Sequence, residues 1–134
     1  MQRNKVLVVD DDFPLRCTLE MILEEAGYEV SSAGNGEEAL KALERSMPEV
    51  IILDMKMPIM DGWEFAKRFR ERYGHQAALL VNTASADNEA RARSIEAEAY
   101  VAKPFRIDEL LGAVERCVEM NHQTHFEEMK RESA

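Results

Sequence analysis

The sequence predicts an α/β domain built as a doubly wound, five-stranded parallel sheet, (βα)5. Two observations carry that expectation. Apolar periodicity switches repeatedly between short strand-like runs and amphipathic helical stretches, and turn residues fall at the switches. Five strands alternating with helices require right-handed crossovers, and these lay helices on both faces of the sheet.

Each element has a local reason. KVLVV, residues 5–9, is a short apolar run suited to a buried strand, and Pro14 fits the first turn of the helix that follows, where no N–H is needed. That helix runs to about Ala26, and Gly27 stands where a left-handed C-cap belongs. Residues 28–33 read as the second strand. Gly34-Asn35-Gly36 turns the chain into a helix with Ala39, Leu40 and Leu43 on one face, and Pro48 stops it. VIIL, residues 50–53, is the most apolar strand and is expected at the centre, where both faces are covered. A helix near 63–73, a strand at 78–82, a polar helix from Asp87 to about Glu96 and a strand at 99–102 follow. Ile107, Leu110, Leu111, Val114 and Val118 mark a fifth helix. The expected domain covers residues 1–121, with 122–134 as a helical extension or a disordered tail.

Composition narrows the function. The 134 residues are 46% apolar and 32% charged with few Gly or Pro, which favours a packed globule. No apolar run approaches the roughly 20 residues of a transmembrane span, and no secretory leader is visible, so a cytoplasmic protein without a membrane partner is expected. The 26 acidic against 17 basic residues give a net charge of −9. Phosphate backbones would be repelled, and direct nucleic-acid binding is not expected. Cys17 and Cys117 form no C-x-x-C pair and read as reduced thiols.

Chemistry should gather beyond the carboxyl ends of the strands, near the switch in strand order. Asp10, Asp11 and Asp12 follow the first strand, Asp54 the third, Thr83 the fourth and Lys103 the fifth. Any one of these is ordinary, since an Asp after a strand often caps a helix and a Lys is often a solvated charge. Turns alone do not require their convergence on one rim. Crowded carboxylates either hold protons or recruit a cation, and a hard, oxygen-seeking Mg2+ suits a site without His or Cys. Such an ion beside a free carboxylate, a hydroxyl and an ammonium is a phosphoryl-binding layout, and aspartate can form an aspartyl phosphate.

Over about residues 4–120 the chain resembles the receiver domain of two-component response regulators. The resemblance rests on VLVVDDD (6–12), ILDMKMPIMDG (52–62), the Thr83-Ala84 pair and YVAKPF (100–105). It implies a flavodoxin-like, CheY-like sheet in the order 2-1-3-4-5, with Asp54 accepting a phosphoryl group from the phosphohistidine of a sensor histidine kinase or phosphotransfer protein. Asp11 would bind Mg2+ directly, Asp10 mostly through water, and Asp54 and the Lys56 carbonyl would complete the ligands. Thr83 would hydrogen-bond the phosphoryl oxygens, Lys103 would pair with them, and Pro104 would follow a cis peptide. Tyr100 would be the aromatic switch of an output face on helix four, strand five and helix five. The module is expected to assist its own phosphorylation without being a turnover enzyme and to act on an unidentified downstream effector. Its output would be stand-alone or outside this chain, and Phe126 and Met129 could support a phosphorylation-dependent homodimer.

Departures from the family pattern set further expectations. The stretch from Thr83 to Lys103 is shorter than in common members, so helix four or its flanking loops should be trimmed. Glu96 occupies the place of the glycine that usually ends helix four, so that C-cap should use another geometry. Lys56 and Ser85 would edge the path of attacking water, and the Lys56 side chain should slow autodephosphorylation. Asn82 is an unexpectedly polar end to its strand. His122 and His125 look like a solvated helix end, and Met55, Met57 and Met60 like loop packing. In a competing reading, Asp10 is the nucleophile and Asp12 the general acid of a haloacid-dehalogenase-like phosphatase. Only Asp108 follows the lysine, no cap has room, and DMKMPIMDG would then be unexplained.

Overall fold

A computed structural model describes residues 4–84 and 88–132. Ten elements alternate along the described residues: β1 (Lys5–Val9), α1 (Phe13–Glu25), β2 (Glu29–Ala33), α2 (Gly36–Arg45), β3 (Val50–Leu53), α3 (Gly62–Tyr73), β4 (Ala78–Thr83), α4 (Asn88–Ser94), β5 (Ala99–Ala102) and α5 (Ile107–Glu132). All strand pairs are parallel, in the order β2-β1-β3-β4-β5. The expected doubly wound topology is thus observed. β3 and β4 are buried along their whole length, whereas β2 exposes Glu29, Ser31 and Ser32, as a strand at the edge of the sheet can.

Side-chain alternation divides the interior into two layers. Leu7, Val9, Ile51, Leu53, Leu79 and Val81 meet Ala39 and Leu43 of α2, Phe65 and Phe69 of α3 and Ala92 of α4. On the opposite face Val6, Val8, Ile52, Leu80 and Val101 meet Leu19 and Leu23 of α1 and Leu110, Val114 and Cys117 of α5. Each large aliphatic or aromatic side chain buried this way contributes about 1.5–3 kcal/mol. Burial pushes the Cys117 thiol up to about 12, keeping it protonated and inert. Met55 is buried, and Met57 and Met60 pack against the core, as loop packing requires.

Capping residues fix where three helices begin, and with them the loops that form the rim. Asp12 accepts the Leu15 amide at 3.1 Å, Asn35 that of Glu38 at 2.9 Å and Asp61 that of Glu64 at 2.9 Å. α1 closes with the Gly27 amide on the Glu24 carbonyl and the Tyr28 amide on that of Leu23, the paired bonds of a Schellman motif. Gly27 has φ +100°, which glycine adopts without steric penalty.

The ends of β4, α4 and α5 are now defined, and two expectations, the bounds of β4 and α4 and the α4 C-cap, need revision. Strand four runs one residue further, to Thr83, and α4 spans only Asn88–Ser94, while Asp87 and Ser85 lie outside the described residues. α5 continues as helix through Glu132, carrying exposed Phe126 and Met129. The α4 C-cap does not abandon the glycine geometry. Glu96 adopts φ +56°, its amide bonds the Arg93 carbonyl at 3.1 Å, and the Ala97 amide bonds that of Ala92 at 2.8 Å. This is again the Schellman pairing, now with a side chain in the left-handed region. The Arg70 guanidinium holds it in place by donating to the Glu96 carbonyl at 2.7 Å.

A left-handed residue with a Cβ costs about 1–2 kcal/mol that glycine avoids. Glu96→Gly is therefore expected to raise the unfolding free energy by about 1 kcal/mol in urea, and an unchanged or lower midpoint would contradict that account.

Candidate functional site

β1 is flanked by β2 and β3, so the chain winds away in opposite directions from the carboxyl ends of β1 and β3. Asp10 directly follows β1 and Asp54 directly follows β3, both buried, and the Asp54 amide donates to the Val9 carbonyl at 2.9 Å. Asp11 is exposed beside them. One carboxylate oxygen from each of Asp10, Asp11 and Asp54 lies within 4.8 Å of the other two. Asp12, the third residue of the acidic run, is turned away by its capping role on α1.

Lys103 closes the site from β5. Its backbone amide bonds the Thr83 carbonyl at 3.1 Å, which ties the ends of β4 and β5 together, and the Lys103–Pro104 peptide is cis. The ammonium donates to Asp10 Oδ2 at 2.7 Å and stands 3.8 Å from Asp54 Oδ1. Asp10 Oδ1 also accepts the Asp12 amide at 2.9 Å, and Arg16 donates to the Asp10 carbonyl at 2.7 Å. Thr83 is buried at the end of β4, and Tyr100 is half exposed on β5, in register with Val81.

The loop after Asp54 is drawn tight. Gly62 places its amide on the Met55 carbonyl at 3.0 Å, and a Cβ there would fall 2.7 Å from the Asp54 carbonyl oxygen. Only glycine allows α3 to start this close to the strand end. Ile59 at the loop tip has φ +69° and is exposed, a conformation rare for a β-branched residue. Lys56 is exposed, and its backbone N–H donates to the Asp54 carboxylate.

Three carboxylates around one ammonium leave the pocket anionic. Burial lifts the Asp54 carboxyl from its ordinary 3.8 to about 6. Lys103 and the Lys56 amide pull it down, and the Asp10 and Asp11 charges push it further up. The crowding of hard oxygen donors fits a small divalent cation. His122 and His125 are exposed on α5, outside this grouping, and Asp108 pairs instead with Arg106 at 3.0 Å. The sequence reading missed the Arg16 contact, because an arginine on α1 carries no signal that it reaches back to a strand end.

The fold and this rim define the class of protein as a phosphoacceptor signalling module. A family model described as the response regulator receiver domain matches residues 6–115, and the chain belongs to that family. It is the receiver of a two-component phosphorelay. It is 36% identical over 133 residues, 98% of the chain, to the DNA-binding transcriptional regulator NtrC of Escherichia coli, and spans 27% of that relative's length. It is 34% identical to sporulation initiation phosphotransferase F of Bacillus subtilis, covering 87% of this chain and 94% of the relative. The response regulator TrrA of Thermotoga maritima, crystallised with Mg2+ and BeF, superimposes with a TM-score of 0.77 at 37% identity, over 85% of this chain and 98% of that one. Among the described residues no helix is long and apolar enough to cross a membrane.

A carboxyl whose folded pKa is raised costs the fold free energy once it ionises, a cost absent below about pH 4 and complete above the folded value near 6. Asp54→Asn is therefore expected to stabilise the metal-free chain by up to roughly 3 kcal/mol at pH 8 and by little at pH 4. Urea unfolding at both pH values checks this, and an increment that does not grow with pH would contradict it.

Proposed function

We propose that Asp54 is the phosphoacceptor. The observation that carries this is the meeting of its buried carboxylate with Asp10 and Asp11 on one side and the Lys103 ammonium, 3.8 Å away, on the other. An Asp54 oxygen attacks the phosphorus of a phosphohistidine, a P–O bond forms as the P–N bond breaks, and the imidazole leaves with the electron pair. The product is an acyl phosphate.

Asp10, Asp11 and Asp54, with the Lys56 carbonyl, would hold Mg2+, which when bound supplies positive charge against the transferring phosphoryl group. The chain's own residues do the rest. Lys103 turns from Asp10 to pair with the phosphoryl oxygens, and the Thr83 hydroxyl donates to them. Drawing Thr83 inward opens space for Tyr100, so a local charge event biases the face formed by α4, β5 and α5. The Lys56 side chain screens the acyl phosphate from water and slows its decay.

The donor is a sensor histidine kinase or phosphotransfer protein. Phe13, Ile59 and Ile107, exposed just beyond β1, β3 and β5, offer it apolar docking surface around the acidic pocket. The module turns over no substrate of its own and acts in the cytoplasm on a separate effector. Residues 1–121 form the receiver and residues 122–134 its C-terminal extension, in which α5 runs on to Glu132 and Phe126 and Met129 support a phosphorylation-dependent homodimer.

Incubation with Mg2+ and acetyl phosphate is expected to place a hydroxylamine-sensitive label on Asp54, located by mass spectrometry and absent from Asp54→Asn. Lys56→Ala should carry the same label and lose it faster. Label on Asp10, with turnover of a phosphomonoester, would instead establish the phosphatase reading.

A further inference from the structure

Asn82 is accounted for neither by the core nor by the site. It is 1% exposed, and among the described residues neither its amide oxygen nor its amide nitrogen has a hydrogen-bond partner. Buried amides are almost always paired, because each polar atom stripped of water without replacement raises the free energy of the fold. A leucine or valine would fill β4 here without that penalty.

Its position relates it to the site. Val9, Leu53 and Val81 are register partners across β1, β3 and β4, so the next row of the sheet is Asp10, Asp54 and Asn82. Asn82 itself pairs in register with Val101, two residues before Lys103 on β5. Alternation puts its side chain on the face of Leu80 and Val101, the layer that α1 and α5 cover. A cation already bonded to this row is Lys103, whose ammonium donates to Asp10 at 2.7 Å.

Resting on the phosphoacceptor reading of Asp54, we propose that Asn82 is a positioning residue for the phosphorylated state. Its amide oxygen accepts a hydrogen bond from the Lys103 ammonium once that ammonium turns from Asp10 to the phosphoryl group. An ammonium has three N–H donors, so Lys103 can serve the anion and the amide together. The resting form then carries an unpaired amide oxygen and the phosphorylated form a paired one. Their difference adds to the population shift that phosphorylation produces. The polar residue weakens the resting fold and deepens the switch.

The test compares wild type with Asn82→Leu and, as a strand-favouring second shape, Asn82→Val. Beryllofluoride is titrated into the full chain in saturating Mg2+ and followed by fluorine NMR, and thermal unfolding is recorded with and without it. Both variants are expected to melt higher than wild type without beryllofluoride, to bind Mg2+ as wild type does, and to bind beryllofluoride about tenfold more weakly. Wild-type beryllofluoride affinity in either folded variant, with equal stabilisation in both states, overturns the inference and leaves Asn82 a purely structural defect. Failure of wild type itself to bind beryllofluoride would remove the phosphoacceptor reading and this inference with it.

Discussion

Three carboxylates held together at the ends of two adjacent parallel strands are the constraint around which the molecule is organised. With one carboxylate oxygen of each of Asp10, Asp11 and Asp54 within 4.8 Å of the others, a like-charged pair at that limit repels by roughly 3.5 kcal/mol at an effective dielectric near 20. Lys103 offsets part of this through its 2.7 Å bond to Asp10, yet one ammonium cannot balance three acids. Asp54, lifted mainly by its burial and further by the neighbouring Asp10 and Asp11 charges, holds its proton up to about pH 6. The site therefore favours positive charge.

The sheet can hold that arrangement because its centre is apolar on both faces. β1 and β3 are clamped between the α1/α5 layer and the α2/α3 layer, so the carboxylates at their ends cannot separate without disturbing both. The rim adds local restraints. The cap of Asp12 starts α1 immediately after the acidic run, Gly62 brings α3 against Asp54, and the Lys103–Thr83 backbone bond joins the ends of β4 and β5. Each removes a way for the pocket to relax. The free energy gained by burying Leu, Val, Ile and Phe side chains thus sustains an electrostatically unfavourable site.

Much of this was legible in the sequence, because hydrophobic periodicity sets element order and parallel winding sets where strand ends meet. That Asp10, Asp54, Thr83 and Lys103 share one rim follows from topology alone. Spacing could not divide the labour among three consecutive aspartates, since which one caps the helix depends on the φ and ψ of the turn. Asp12 takes that role, and Asp10 and Asp11 are left to the site. Glu96 was misread because glycine at a helix end signals left-handed backbone, whereas here tertiary bonds from Arg70 impose it on a glutamate. Whether α5 ran on as helix or ended in a tail stayed open, since its last turns lack the apolar stripe that periodicity detects. Arg16 matters through a contact made in three dimensions that no pattern of residue types encodes, whereas Asn82 stood out in the sequence as a polar strand end whose missing partners only the fold reveals.

The central claim is that Asp10, Asp11 and Asp54 form one divalent-cation site, and NMR with trace Mn2+ tests it most directly. The claim predicts that Mn2+ broadens backbone amides around residues 10–12, 54–57, 83 and 103 first, that excess Mg2+ restores them, and that Asp11→Asn abolishes the effect. Broadening spread over the acidic helix surfaces, indifferent to Mg2+ and to Asp11→Asn, would contradict it.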